Sequence, residues 1–465
     1  MNYISTRGAA PAVGFIDCLL AGLAPDGGLY VPEAWPVVAP EEIAGFATAP
    51  YAEVAADILG RFAGDEIASE VVTRLCAEAY AEFDHTAVTP LRQLDPGCFL
   101  LELFHGPTLA FKDVAMQLLA RLYDHILAQQ GRTMTIVCAT SGDTGGSAVE
   151  AFRGRVNIKL VVLFPDGRIS DVQRRFITTA DEDNVRAVAV AGDFDDCQSI
   201  LKILFADAPF ARAVGLAAVN SINFARIAAQ SVYYFVAAAA LGAPQRRVTF
   251  AVPTGNFGDA FAGFAAHAMG LPIARILVAT NANAIVARAI ETGRYARGAG
   301  VATQSPAMDI QVASNFERLY FECAGRDGER TARAFAAVAA LGATDIPSVA
   351  LQTMRALFCG VSVSEAQTAM AMRAAHERTG EFIDPHTAVA LSGAESRAAD
   401  PSWSPMIVLS TAHPAKFAEA VSAATGRTPP FPRAAREVAG RPERIERLPA
   451  SAEAVKAYVR AFATR

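Results

Sequence analysis

Residues Thr133–Phe152 read TMTIVCATSGDTGGSAVEAF, and residues Arg247–Gly270 read RVTFAVPTGNFGDAFAGFAAHAMG. Each begins with a β-branched, apolar run, passes through a glycine-rich turn and continues with helical spacing. A strand that feeds a helix in this way is the repeating unit of parallel sheets covered by helices on both faces. Runs of the same kind recur at NIKLVVLF, VRAVAVAG, ARILVAT and MIVLS, and helical patterns follow at DDCQSILKILFADA and ARIAAQSVYYFVAAAAL. The alternation predicts an α/β protein with largely parallel sheets.

At 465 residues the chain is too long for one small core. The expected division is a mostly helical N-terminal module over 1–92, a smaller α/β region over 93–235 and a larger one over 236–465. The last begins at the TGNFG strand and ends in a Pro- and Arg-rich stretch followed by one helix. Net charge is −6 with 19% charged residues, so a basic surplus of the kind that binds nucleic acid is missing. The longest apolar run, around VYYFVAAAAL, is too short to span a membrane. Seven cysteines are scattered without metal-ligand spacing, and MNYISTRGAA lacks signal-peptide architecture, so a cytoplasmic protein without a metal is expected.

Both glycine turns open a helix, where unpaired backbone N–H groups and a partial positive charge suit an anion. Neither turn is a nucleotide fingerprint, and one such turn alone can be merely a tight connection. A third feature adds chemistry. Lys112 sits in the apolar stretch LAFKDVAM, and only five lysines occur (Lys112, Lys159, Lys202, Lys416 and Lys456), against 36 arginines. Lys112 could snorkel to water along its methylenes. Alternatively its amine is desolvated and acts as a nucleophile and base, which a guanidinium cannot do. A Schiff-base lysine implies pyridoxal phosphate or a carbonyl substrate. TGNFG could cradle the cofactor phosphate, and the hydroxyls of Ser410-Thr411, closing the strand MIVLS, could meet the ring nitrogen.

Six segments in register, FHGPTLAFKD, TSGDTGG, NSINFARI, PTGNFGD, SPAMDIQVASNFERL and STAHPAKF, closely resemble the threonine synthases. STRG near Ser5 and PDGGLYVPE near Asp26 resemble the longer bacterial and fungal type. The resemblance runs to about Phe417. It implies the tryptophan synthase β-like pyridoxal phosphate fold and the conversion of O-phospho-L-homoserine and water to L-threonine and phosphate. A phospholyase or a threonine/serine dehydratase on the same scaffold is the alternative. Partners are then a small-molecule substrate, with no nucleic acid or membrane, in a monomer or homodimer.

Roles follow from the resemblance residue by residue. Lys112 matches the Schiff-base lysine. Gly255, Asn256, Phe257 and Gly258 match the loop that binds cofactor phosphate, and Thr411 matches the hydroxyl facing the ring nitrogen, with an N-cap of the AKFAEA helix as its alternative. Thr140, Ser141, Gly142, Asp143 and Thr144 match the loop that holds the substrate carboxylate. Asn220, Ser221, Asn223 and Arg226 are the candidates for the substrate phosphate, with an Asx-rich helix start as their plainer reading. Asn315, Arg318, His105 and His413 are lesser candidates. Asp259 would set a carboxylate beside a dianion, so it is expected to turn away and cap its helix.

Overall fold

The computed structural model describes residues 1–464. Two sheets organise them. The larger has six strands in the order Phe358–Ser362, Ile273–Thr280, Val248–Pro253, Met406–Ser410, Cys98–Glu102 and Leu91–Asp95, parallel except for the last. The smaller has five parallel strands in the order Glu446–Pro449, Val185–Ala191, Ile158–Pro165, Met134–Ala139 and Leu216–Ala217. Every residue of Val248–Pro253 and of Met406–Ser410 is buried, which is why these strands read as unbroken apolar runs.

Sheet membership differs from a linear division at residues 92 and 235. Leu91–Asp95 and Cys98–Glu102 precede Lys112 yet lie in the six-stranded sheet, and Glu446–Pro449 closes the edge of the five-stranded sheet. Parallel strands need crossover connections, so neighbours in a sheet are distant in sequence and the chain passes between the two layers more than once. The run GLAAV contributes only the two-residue strand Leu216–Ala217.

The first ninety residues form helices, including Tyr51–Ala63 and Ser69–Tyr80, and a two-stranded ribbon pairing Tyr3–Ser5 with Tyr30–Pro32. This module is a packing partner. Phe62 meets Phe224 at 5.4 Å between ring centroids and Tyr3 meets Phe224 at 5.2 Å, at the start of the helix Phe224–Ala240. From the STRG segment, Arg7 pairs with Glu317 at 2.9 Å and the Thr6 hydroxyl donates to the same carboxylate at 2.7 Å.

Three adjacent strands of the larger sheet deliver chemistry from their carboxyl ends. Cys98–Glu102 leads to the segment ending at Lys112, Met406–Ser410 leads to Thr411, and Val248–Pro253 leads to the TGNFG turn. In the smaller sheet, Met134–Ala139 leads to Thr140 and the SGDTG turn. The site forms where these ends meet, as expected for α/β sheets.

Candidate functional site

Lys112 is the first residue of the helix Lys112–Gln130. The segment Thr411–His413, which follows the strand Met406–Ser410, fixes its approach, because Phe111 N donates to Thr411 O at 2.9 Å and His413 N donates to Leu109 O at 3.0 Å. The Lys112 side chain is 12% exposed, and its Nζ lies 3.5 Å from Asp143 Oδ2. Burial pulls its proton affinity below the ordinary lysine range, with Lys416 and Arg226 adding to the effect and Asp143 opposing it. A lysine so placed spends more of its time as a free amine.

Asp143 opens the helix Asp143–Phe152 and is the hub of the cluster. Its Oδ1 accepts from Gln173 Nε2 at 2.9 Å and lies 2.7 Å from Lys416 Nζ. Burial alone would raise this carboxyl, but Lys416 and Lys112 overrule it and hold it well below the usual carboxylate range. Lys416 is itself 2% exposed and donates to Thr108 O at 2.8 Å. The turn before Asp143 is anchored by Thr140 Oγ1, which accepts from Gly142 N and Gly145 N, both at 2.9 Å. Gly142 has φ +138°, and a Cβ there would meet the Gln173 amide at 2.5 Å. Ser141 and Thr144 are half-buried on the same turn.

The TGNFG turn is held from below. Phe257 takes a left-handed conformation, φ +64°, as it enters the helix Gly258–Ala268, and its ring packs on Phe316 and Phe358. A Cβ on Gly255 would come within 2.5 Å of Ala307 O, so only glycine keeps this turn seated. Gly255 is half-buried and Asn256 exposed, which leaves this part of the turn accessible. Asn315 Nδ2 donates to both Ser221 O and Asn256 O at 3.1 Å, tying the NSINFAR segment to the TGNFG turn. Arg318 is fully buried, donates to Tyr30 O at 2.9 Å and braces Asn315 Oδ1. Asn315 and Arg318 therefore support the loops.

Within NSINFAR the four candidates separate. Asn223 caps the helix Phe224–Ala240 by accepting from Ala225 N at 3.0 Å. Its Nδ2 donates to Leu19 O at 2.8 Å and to Tyr123 OH at 3.2 Å. That uses both amide hydrogens, so Asn223 follows the plainer reading. Arg226 is different. It is 3% exposed, its Nε has no hydrogen-bond partner, and its guanidinium reaches Val219 O only at 3.5 Å. Burial pulls its pKa down to about 10. A buried guanidinium that no carboxylate neutralises favours an anionic partner. Asn220 and Ser221 are half-buried nearby in the chain.

Other expectations are corrected. His413, and not Thr411, caps the turn Pro414–Phe417, its Nδ1 accepting from Ala415 N at 3.1 Å. Thr411 stays 6% exposed at the strand end. His105 pairs with Glu102 at 2.7 Å, and its ring lies tilted against Phe104 with 4.9 Å between centroids. Asp259 does turn away, but it makes no cap. Its Oδ1 accepts from the hydroxyls of Tyr233 and Tyr234 on the neighbouring helix. Lys416, Gln173 and this tyrosine pair escaped the sequence reading. The scarcity of lysine that drew attention to Lys112 was a signal for Lys416 as well. Among the described residues, no group of three or more His, Cys, Asp or Glu side chains converges as metal ligands would, and no helix is long and apolar enough to cross a membrane.

These features fit pyridoxal phosphate. A buried amine stands close enough to Arg226 for its charge to act, and a glycine turn at a helix start remains accessible. Comparison with known proteins agrees. Residues 2–80 match the model "Threonine synthase N terminus", residues 83–411 match "Pyridoxal-phosphate dependent enzyme", and residues 387–459 match "Threonine synthase, C-terminal". The chain is 47% identical to the threonine synthase of Pseudomonas aeruginosa over 99% of its own length and 98% of the relative's. The crystal structure of threonine synthase from Brucella melitensis with bound pyridoxal phosphate superposes with a TM-score of 0.97 at 48% identity, covering all of both chains. That from yeast superposes with a TM-score of 0.94 at 34% identity, over 100% of this chain and 99% of the other. The chain belongs to the threonine synthase family of pyridoxal phosphate-dependent enzymes, with the tryptophan synthase β-like fold.

Proposed function

We propose that the chain converts O-phospho-L-homoserine and water to L-threonine and phosphate with Lys112 as its catalytic amine. The observation that carries this reading is a buried amine and a buried guanidinium whose charges act on each other. Lys112 is buried against Asp143, and Arg226 lies close enough to influence it while lacking any carboxylate of its own. A phosphorylated amino acid needs both an amine that moves protons and a cation that holds a phosphate.

Bound pyridoxal phosphate supplies an electron sink that acidifies the hydrogens on the substrate's Cα and Cβ. Gly255, Asn256, Phe257 and Gly258 would hold its phosphate at the start of the helix Gly258–Ala268, and Thr411 would face its ring nitrogen with a neutral hydroxyl. Lys112 takes the proton from Cα and hands it on, then takes another from Cβ as the Cγ–O bond to phosphate breaks. It returns protons to Cγ and Cα, while the hydroxyl of the added water bonds to Cβ and the water's other proton leaves with the phosphate. Thr140, Ser141 and Thr144 orient the substrate carboxylate on the SGDTG turn. Asp143 lies between Lys416 and Lys112, and it holds the lysine amine in register. Arg226, with Asn220 and Ser221, binds the substrate phosphate as handle and leaving group. Asn223 positions this segment through its cap and its bond to Leu19.

The seven cysteines are unpaired, which supports a reducing, cytoplasmic setting, and the enzyme works there as a monomer or homodimer. Supplying O-phospho-L-homoserine and, separately, L-threonine to the cofactor-loaded protein tests the reading. Threonine and phosphate in equal amounts from the first supports it. Release of 2-oxobutyrate from threonine, with phosphohomoserine untouched, would identify a dehydratase instead.

A further inference from the structure

Asp259 is a carboxylate in an unexpected position. It is the second residue of the helix Gly258–Ala268, whose first turn offers its N–H groups to an anion. A carboxylate and a dianion within one helical turn repel each other. Its side chain faces the protein and is 7% exposed. Two tyrosine hydroxyls, from Tyr233 and Tyr234, converge on Oδ1, and Tyr234 also donates to Asp259 O at 3.0 Å. Oδ2 is buried with no hydrogen-bond partner. The remaining charge that acts on Asp259 is Lys112, from the helix Lys112–Gln130. An ionised Asp259 thus has one oxygen without a donor, and its countercharge is the amine the cofactor engages.

We propose that Asp259 takes up one proton from solvent, at Oδ2, when the cofactor phosphate seats on the Gly255–Gly258 turn, so that cofactor binding is proton-coupled. This rests on the assignment of that turn to the cofactor phosphate. Burial already lifts the Asp259 carboxyl to about 6, against the pull of Tyr233, Tyr234 and Lys112. Near neutral pH the free protein therefore holds the carboxyl ionised but ready to accept a proton. An adjacent dianion completes the protonation.

The test is cofactor binding rather than turnover. Pyridoxal phosphate is titrated into protein stripped of cofactor between pH 5.5 and 8.5, with proton uptake measured by calorimetry in two buffers of different ionisation enthalpy. Lys112 is common to wild type and Asp259→Asn, so their difference reports Asp259. Relative to the variant, wild type should take up about one extra proton above pH 6, and its affinity should fall by up to about tenfold per pH unit. Tyr233→Phe removes a donor that stabilises the ionised form, so its loss of affinity should begin at higher pH, and this holds even if Asp259→Asn does not fold. Equal proton counts and parallel pH profiles in wild type, Asp259→Asn and Tyr233→Phe would overturn the proposal. Gly255→Ala separates the two levels by comparing pyridoxal phosphate with pyridoxal. If it leaves the preference for the phosphorylated form unchanged, the turn assignment falls and the proposal with it. If that preference collapses while the proton counts stay equal, only the Asp259 proposal falls.

Discussion

Lys416 Nζ lies 2.7 Å from Asp143 Oδ1, and Lys112 Nζ lies 3.5 Å from Asp143 Oδ2, so one buried carboxylate holds two lysines from distant parts of the chain. Lys416 reaches it from the C-terminal third and is also tied to Thr108 O, four residues before Lys112. The arrangement joins the two sheets through charge as well as packing. Removing one partner from a buried pair leaves an uncompensated charge, which typically costs about 3–5 kcal/mol. Lys416→Ala and Asp143→Ala should each lower unfolding free energy on that scale, and the double variant should lose less than the sum. Denaturant unfolding of the three variants checks this, and simple additivity would contradict it.

The same carboxylate sets an acid dependence. Asp143 is held well below the usual carboxylate range when folded and returns to about 4 when unfolded. Its contribution is therefore complete above pH 4 and is lost as pH falls further toward the folded value. Stability should decline by about 1.4 kcal/mol per pH unit from this group below pH 4, and Asp143→Asn should flatten that slope by one proton. Unfolding curves collected between pH 2.5 and 6 give the comparison.

Arg226→Leu should impair the phosphorylated substrate selectively. A charged hydrogen bond to phosphate contributes about 1.5–3 kcal/mol, so kcat/KM for O-phospho-L-homoserine should drop roughly ten- to 150-fold. Steady-state kinetics, with the far-ultraviolet spectrum as a control for folding, measure it. An unchanged kcat/KM would exclude Arg226 from the phosphate site.

Asn223→Ala is the contrasting case. It removes a helix cap and two donors to Leu19 O and Tyr123 OH, so about 1 kcal/mol or more of stability should go. The KM for phosphohomoserine should change far less than in Arg226→Leu. A large rise in KM without loss of stability would restore Asn223 as a ligand.

Much of this was legible before any coordinate. The two strand–glycine–helix units fixed the α/β class, because β-branched runs and glycine turns are local signals. The isolation of Lys112 among arginines pointed to an amine chemistry that the buried position now explains. What stayed hidden depends on long-range pairing. Nothing in DPGCFLLEL says that Cys98–Glu102 lies beside Met406–Ser410, more than 300 residues later, and nothing near Arg447 shows that its strand completes the smaller sheet. NSINFAR offered four plausible donors. Only the partners of Asn223, supplied by Leu19 and Tyr123, show that its amide is already occupied. Asp259 looked like a cap because its real partners, Tyr233 and Tyr234, lie on another helix.

The central claim is that the buried amine of Lys112 both holds the cofactor and moves the substrate's protons. Its most direct test is Lys112→Ala, refolded or purified with excess pyridoxal phosphate, desalted and supplied with O-phospho-L-homoserine. The account predicts a protein that folds as the wild type does, lacks the visible absorbance of the lysine-linked cofactor and forms no threonine or phosphate. A variant that stays yellow and still releases threonine and phosphate at the wild-type rate would contradict it.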